Sequence, residues 1–250
     1  MKTVLVTGGN RGLGLEFVKQ YSQLGYRIIA TCRKPDEARE LTALKETSKT
    51  DIKIHSLDVT NHQEIDALSK SLSNIPIDII INNAGIIGPF PIFEHIEKQR
   101  FKTMDYSVWE EVLRTNLFGP VKISESFLEN IKNGQDKKII FISSTVGSIN
   151  EGKESAYAYA TSKTALNKAI SLMAENLKSE QINVLALCPG YVKTRMNGGG
   201  ANLETYESIE GMIKQIDSLN ESNTGTFLRY NGEKITWLSL IHISEPTRPY

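Results

Sequence analysis

The chain is 250 residues long, 40% hydrophobic and 23% charged, which suits one large α/β domain with its own core. Its 29 basic and 29 acidic residues cancel, and no basic stripe is interleaved with aromatics, so nucleic acid is not an expected partner. No apolar run approaches the roughly 18 residues that a bilayer span needs, so a membrane partner is not expected either.

The chain begins with a strand over residues 3–7, with no apolar leader and no small-residue cleavage site, so a cytoplasmic protein is expected. Further strands are predicted at 27–32, 52–57, 77–82, 138–143 and 183–188, with a weaker one at 226–228. Several are apolar on both faces, as parallel strands covered by helices are. A first helix carries Leu13, Phe17, Tyr21 and Leu24 on one face, and Gly25 stops it. Other helices are predicted at 36–47, 62–73, 106–132, 156–179 and 204–218. This alternation predicts a single doubly wound domain, a mainly parallel seven-stranded sheet with helices on both faces. Cys32 and Cys188 sit near the ends of separate strands and read as two reduced, buried thiols; no metal-ligand spacing is present. Gly198-Gly199-Gly200 marks a mobile loop within the domain.

Strand one runs into the turn Thr7-Gly8-Gly9-Asn10-Arg11-Gly12-Leu13-Gly14, and a helix begins near Arg11. Gly8, Gly12 and Gly14 let the backbone turn tightly and approach a pyrophosphate, which the helix N-terminus attracts. Alone, the spacing would also suit a structural glycine turn. Between the first strand and first helix of an α/β chain it predicts dinucleotide binding. An NAD site places an acid at the end of the second strand, about 20 residues past the glycines. Here that strand ends Thr31-Cys32-Arg33-Lys34, with no carboxylate at the tip. Arg33 can fork onto a 2′-phosphate and Arg11 can add a second cation, so the expected cofactor is NADP(H).

Tyr159 and Lys163 stand four residues apart on a helix and share one face. A free phenol has a pKa of about 10 and is a poor base at neutral pH. A neighbouring ammonium is expected to lower that value and make the pair a general acid/base for carbonyl–alcohol interconversion.

With these landmarks the sequence resembles the short-chain dehydrogenase/reductase family over residues 1–237. The resemblance rests on Thr7 to Gly14, Leu57-Asp58-Val59, Asn82-Asn83-Ala84-Gly85, Thr115-Asn116-Leu117, Ser143-Ser144-Thr145-Val146-Gly147, Tyr159 to Lys163 and Pro189-Gly190, in that order. It implies a catalytic set of Asn116, Ser144, Tyr159 and Lys163. Ser144 would bind the substrate oxygen, Tyr159 would pass the proton, and Lys163 would tune Tyr159 and hold the nicotinamide ribose. Asn116 would hold a water linking Lys163 to solvent. It also implies cofactor contacts from Gly8, Asn10, Arg11, Gly12, Leu13, Gly14 and Arg33. Asp58 and Val59 would meet the adenine, Asn83, Ala84 and Gly85 the ribose side, and Pro189, Gly190, Val192 and Thr194 the nicotinamide.

Ser143 competes for the serine role; Ser144 is preferred because the family serine precedes the glycine, here Gly147, by three. Tyr157 competes with Tyr159, but four residues after Tyr157 stands Thr161, not a lysine. The serine-to-tyrosine spacing is two residues longer than the commonest family pattern. That length and the ending through Trp237 resemble the branch of C-factor and sniffer-type carbonyl reductases.

The resemblance implies a homodimer or homotetramer built on the helices at 106–132 and 156–179. A lid at 189–206 would cover the nicotinamide, and Phe90, Ile92, Phe93, Ile149 and Met196 could form a pocket for a small carbonyl or alcohol substrate, or serve as core or dimer contacts. An alternative reading is a signalling or sensor protein of C-factor type that holds NADP(H) with little or no turnover. A sugar-nucleotide epimerase would need a larger C-terminal substrate domain. Residues 238–248 resemble the translation of a transposase sequencing adapter, so 238–250 are expected to be a non-native tail without function.

Overall fold

The computed structural model describes residues 1–151, 156–197 and 200–237. The expected tail at 238–250, Gly198 and Gly199 of the expected loop, and residues 152–155 of the lengthened serine-to-tyrosine stretch lie outside the described residues.

Seven strands form one sheet: β1 (Thr3–Thr7), β2 (Arg27–Cys32), β3 (Ile52–Ser56), β4 (Ile79–Asn82), β5 (Lys138–Ile142), β6 (Asn183–Cys188) and β7 (Thr226–Arg229). Their order is β3-β2-β1-β4-β5-β6-β7, and every neighbouring pair is parallel. The chain moves outward one way from β1 through β3, then returns to pair β4 with β1 and builds the other way. Such a reversal opens a crevice beyond the carboxyl ends of the two central strands, where ligands of open α/β sheets bind.

The helices are α1 (Gly12–Gln23), α2 (Arg39–Thr47), α3 (His62–Ser71), α4 (Ile92–His95), α5 (Tyr106–Leu113), α6 (Gly119–Ser126), α7 (Leu128–Lys132), α8 (Tyr157–Asn176) and α9 (Thr205–Ser218). Alternate strand residues serve opposite faces. Leu5, Ile80 and Phe141 pack under Ile65 of α3, Ile123 of α6 and Leu166 and Ile170 of α8. Val4, Val6 and Ile81 pack under Phe17 and Tyr21 of α1, Leu41 of α2 and Met212 and Ile216 of α9. Two buried layers therefore clamp the sheet, and chemistry is left to its rim. The chain stays in this core as far as Trp237, whose ring stacks on Phe227 with centroids 5.1 Å apart. Cys32 and Cys188 are both buried and free. Among the described residues, no helix is long and apolar enough to cross a membrane.

Two expectations need correction. Leu24 does not join the buried face of α1: it is 58% exposed and follows the last helical residue, just before Gly25 turns the chain at φ +86°. The span 106–132 is not one helix. It breaks into α5, a π-helical turn over Arg114–Phe118, α6 and α7. The π turn falls just before Pro120, whose nitrogen has no hydrogen for the carbonyl four residues back. That carbonyl belongs to Asn116.

Candidate active site

The glycine turn sits at the crevice between β1 and β4. Gly8 has φ +68°, a left-handed conformation that favours glycine. A Cβ at Gly14 would lie 2.1 Å from the Gly8 carbonyl oxygen, so only glycine lets the turn fold back onto the start of α1. The helix begins at Gly12, one residue later than expected, with Arg11 as its N-cap. Arg11 makes no side-chain cap, and the first turn of α1 holds no acid. The helix thus offers its first N–H groups outward, beside the exposed Arg11 and Gly12 and the half-buried Asn10 and Leu13.

Asn83 holds this turn in place. Its side-chain nitrogen donates to the carbonyls of Thr7 (2.9 Å) and Gly8 (3.2 Å), and the Thr7 hydroxyl accepts from the backbone N–H of Asn83 and Ala84. The Asn83 amide is therefore spent on the turn itself rather than on the space beside it. Asp58 lies at the end of the next-but-one strand. Its side chain accepts from the Thr60 N–H and hydroxyl, and its own N–H donates to Glu64. Val59 is buried against Gly119 at the start of α6.

Three guanidinium groups gather beside the turn. Partial burial, then the nearby charges of Arg195 and Arg33, lower the pKa of Arg11. Among the described residues, no carboxylate makes an ion pair with any of the three. Lys34, by contrast, is already paired with Glu37 at 2.8 Å. Arg195 was not singled out from the sequence. The only signal was a cation directly after Thr194, and its approach to Arg11 depends on how the 189–206 segment folds back.

That segment is anchored at its base. Val192 bridges Leu203, and Lys193 is ion-paired with Glu204. The Pro189 carbonyl accepts from Ser208, and Gly190, at φ +82°, packs against Leu203 and Tyr230. The Thr194 methyl would lie 3.9 Å from a Cβ placed on Gly12, so the segment reaches across to the glycine turn.

Ser144, Tyr159 and Lys163 meet at the carboxyl end of β5. The Tyr159 hydroxyl faces Ser144, whose hydrogen bond pulls the phenol's pKa down. The Lys163 ammonium donates to the Ile142 carbonyl at 2.8 Å and lies 5.7 Å from the Tyr159 ring centroid. A Cβ on Gly85 would fall 3.8 Å from that ammonium and 3.3 Å from the Asn116 side-chain oxygen, so Gly85 keeps a strip open between them.

The two competitors are placed elsewhere. The Ser143 hydroxyl donates to Asn167 at 2.6 Å, and Asn167 donates to the Gly147 carbonyl, so Ser143 ties β5 to α8. Tyr157 is 43% exposed and turns its ring toward Phe101 and Trp109, away from Ser144.

The expected depression of the Tyr159 pKa is not what the structure shows. Burial raises it to about 12, against the opposing Ser144 hydrogen bond, and burial lowers Lys163 to about 8. Both shifts have one cause: each charged form is stripped of water. Desolvation outweighs the mutual help that an i, i+4 spacing suggests, and Tyr159 is a protonated phenol at neutral pH.

Asn116 sits in the π turn. Its amide accepts from the Ile86 N–H (2.9 Å) and donates to the Ile86 carbonyl (2.8 Å) and the Ser162 hydroxyl (3.0 Å). Its side chain is committed to protein partners, and its backbone carbonyl lacks the usual α-helical donor because of Pro120. Of the expected pocket residues, Ile92 is buried while Phe90, Phe93, Ile149 and Met196 are exposed, so they do not close a pocket in this structure.

Residues 2–202 match the short chain dehydrogenase family. The chain is 31% identical to C-signal of Myxococcus xanthus over 172 residues, which span 68% of this chain and 99% of that protein. An NADPH-bound carbonyl reductase from chicken fatty liver shares its fold at TM-score 0.85 and 32% identity, covering 95% of this chain and 99% of the other. Carbonyl reductase Sniffer of D. melanogaster matches at TM-score 0.83 and 29% identity, covering 95% and 100%.

Proposed function

Since the chain belongs to the short chain dehydrogenase family, we propose that it is an NADP(H)-dependent carbonyl reductase that uses Tyr159 as its proton donor. The observation that carries this reading is the meeting of Ser144, Tyr159 and Lys163 at the mouth of the crevice, with Tyr159 held protonated. The crevice fits the dinucleotide on its own chemistry. A helix start without a side-chain cap suits a pyrophosphate, and three guanidiniums with no ion-pair partner among the described residues suit a 2′-phosphate.

Gly8, Asn10, Gly12, Leu13 and Gly14 would cradle the pyrophosphate, with Arg11, Arg33 and Arg195 on the added phosphate. Asp58 and Val59 would border the adenine, and Ala84 and Gly85 the ribose, with Asn83 supporting the turn. Pro189, Gly190, Val192 and Thr194 would border the nicotinamide. When bound, the reduced nicotinamide supplies the hydride.

Ser144 donates a hydrogen bond to the substrate carbonyl oxygen and stabilises the negative charge that grows there. Tyr159 gives its proton to the same oxygen. A phenol with a raised pKa holds that proton until the oxygen becomes strongly basic, so the site favours reduction over oxidation at neutral pH. Lys163 supplies a positive charge beside Tyr159, and the Asn116 carbonyl holds the water through which the proton is replaced.

The test is NADPH oxidation against a panel of quinones, aldehydes and ketones. Turnover of at least one class, with NADPH strongly preferred to NADH, is expected. A preference for NADH, or no turnover of any carbonyl, would overturn the reading. The likeness to C-signal supports a second reading, a signalling protein that holds NADP(H) with little turnover; the intact Tyr159–Lys163 pair argues for the enzyme. The exposed rings of Phe101, Tyr106 and Tyr157, on and beside α5 and α8, support a homodimer through that face. A monomeric mass by light scattering at micromolar concentration would contradict it.

A further inference from the structure

We infer that Gln99 is a positioning residue, which fixes the Tyr159 hydroxyl by clamping the backbone of Tyr159 to the segment that follows β4. The inference rests on the role given to Tyr159 above. Gln99 closes a short 3₁₀ turn (Ile96–Gln99) and is fully buried, at 0% exposure. Its carboxamide spans two elements. The nitrogen donates to the Ile87 carbonyl at 2.7 Å, and the oxygen accepts from the Tyr159 N–H at 3.3 Å.

The Tyr159 N–H needs an outside partner. It lies in the first turn of α8, where no carbonyl of the same helix can reach it. Ala156, the residue at the cap position, has no side-chain acceptor. Gln99 thus caps, from a distant loop, the helix that carries the reacting hydroxyl. The space for it is made by Gly88, where a Cβ would stand 2.3 Å from the Gln99 nitrogen and where φ is +126°.

The other end of the same residue is held as well. The Ser162 hydroxyl donates to the Tyr159 carbonyl at 2.7 Å and accepts from Asn116 at 3.0 Å. Asn116 also grips both backbone groups of Ile86, next to the Ile87 that Gln99 grips. The N–H and C=O of Tyr159 are therefore both referred to one short strip, residues 86–88. The side chain stands on a backbone fixed at both ends. Gln99 touches neither substrate nor cofactor in this arrangement; it acts through Tyr159. A displacement of about 1 Å at a reacting group can cost roughly 100-fold in rate, so this fixing matters.

The experiment compares Gln99→Leu and Gln99→Glu with the wild type. Leucine keeps the volume and loses both bonds. A buried glutamic acid, when protonated, keeps both: its hydroxyl donates to Ile87 and its carbonyl oxygen accepts from Tyr159. Gln99→Leu is expected to lower kcat for carbonyl reduction at least 10-fold while changing the NADPH dissociation constant less than twofold. The rising limb of alcohol oxidation should move to higher pH, because a displaced Tyr159 loses the Ser144 hydrogen bond that favours its ionised form. Gln99→Glu should recover toward the wild-type rate as pH falls, and Gln99→Leu should not. Amide exchange at Tyr159, read on the folded protein by NMR, should be at least 10-fold faster in Gln99→Leu. A wild-type kcat in Gln99→Leu, or a fall in kcat with the oxidation limb unmoved and no recovery in Gln99→Glu, would overturn the inference. If the wild type reduces no carbonyl, the functional reading has failed; unchanged Tyr159 amide protection in Gln99→Leu would then show separately that the clamp does not exist.

Discussion

Asp78 at the amino end of the sheet and the Tyr159–Lys163 pair at its carboxyl end are buried polar groups in opposite surroundings. At the amino end, Asp78 is 3% exposed and both its oxygens are used: one accepts from the Thr3 N–H at 2.6 Å, the other from the Gln135 N–H at 2.7 Å. Nearby, Lys2 is paired with Asp136 and its pKa is raised, chiefly by that hydrogen bond. The Asp78 side chain is buried on two N–H donors and the partly exposed Lys2–Asp136 pair joins distant segments, so both tie strands and loops together. At the carboxyl end, Tyr159 and Lys163 are buried where burial pushes both toward neutrality, and three guanidiniums stand together with no carboxylate paired to them among the described residues. Asp78 serves the fold. On the proposed reading, Tyr159, Lys163 and the guanidiniums are held for a ligand, as strongly perturbed groups in a cleft often are.

Substitutions on either side of that contrast should have unlike consequences. The largest effect is expected from Tyr159→Phe, which removes the proposed proton donor. NADPH-dependent carbonyl reduction should fall about 1,000-fold while the NADPH dissociation constant stays within threefold, read by steady-state kinetics and fluorescence titration. Asp78→Ala should do the reverse. Two buried N–H groups lose a charged acceptor, so stability should fall by roughly 3 kcal/mol, measured from denaturant midpoints, with kcat at 25 °C nearly unchanged. Equal losses of rate and stability in both variants would erase the distinction. Arg33→Ala should weaken NADPH binding about 30-fold and leave NADH binding unaltered, since on the proposed reading it removes only a charge-assisted contact to the 2′-phosphate. A uniform loss for both cofactors would place Arg33 elsewhere.

The sequence shows the frame well where local chemistry is decisive. The bounds of β1, β2 and β6 agree with the apolar runs, because buried parallel strands are apolar on both faces. Gly8, Gly14 and the Tyr159–Lys163 spacing are visible because each depends on a near neighbour in the chain. What stays hidden is what depends on distant packing. The break at Arg114–Phe118 could have been anticipated from Pro120, but its effect on Asn116 appears only with the strip at Ile86 in place. Gln99 has no local signal and Arg195 only its place directly after Thr194, since each becomes meaningful only when a long loop lies back over the sheet rim. The spacing of Tyr159 and Lys163 predicts the wrong direction for the Tyr159 pKa, because spacing reports proximity and not desolvation.

On the proposed reading, the rim that carries Tyr159 and Lys163 is built against its own stability. The most direct test is the denaturant midpoint of cofactor-free Lys163→Met from pH 7 to pH 10.5. The folded pKa of Lys163 is about 8, below its model-compound value of 10.5. Below pH 8 both folded and unfolded lysines are charged, and the folded state bears the full cost of burying that charge. Between 8 and 10.5 the folded state releases its proton first and the cost recedes. Replacing Lys163 by methionine should therefore stabilise the protein by about 2 kcal/mol at pH 7, after allowing for the lost bond to the Ile142 carbonyl, and the gain should vanish by pH 10.5. A variant less stable than the wild type at pH 7, or a gain that does not change with pH, would contradict the account.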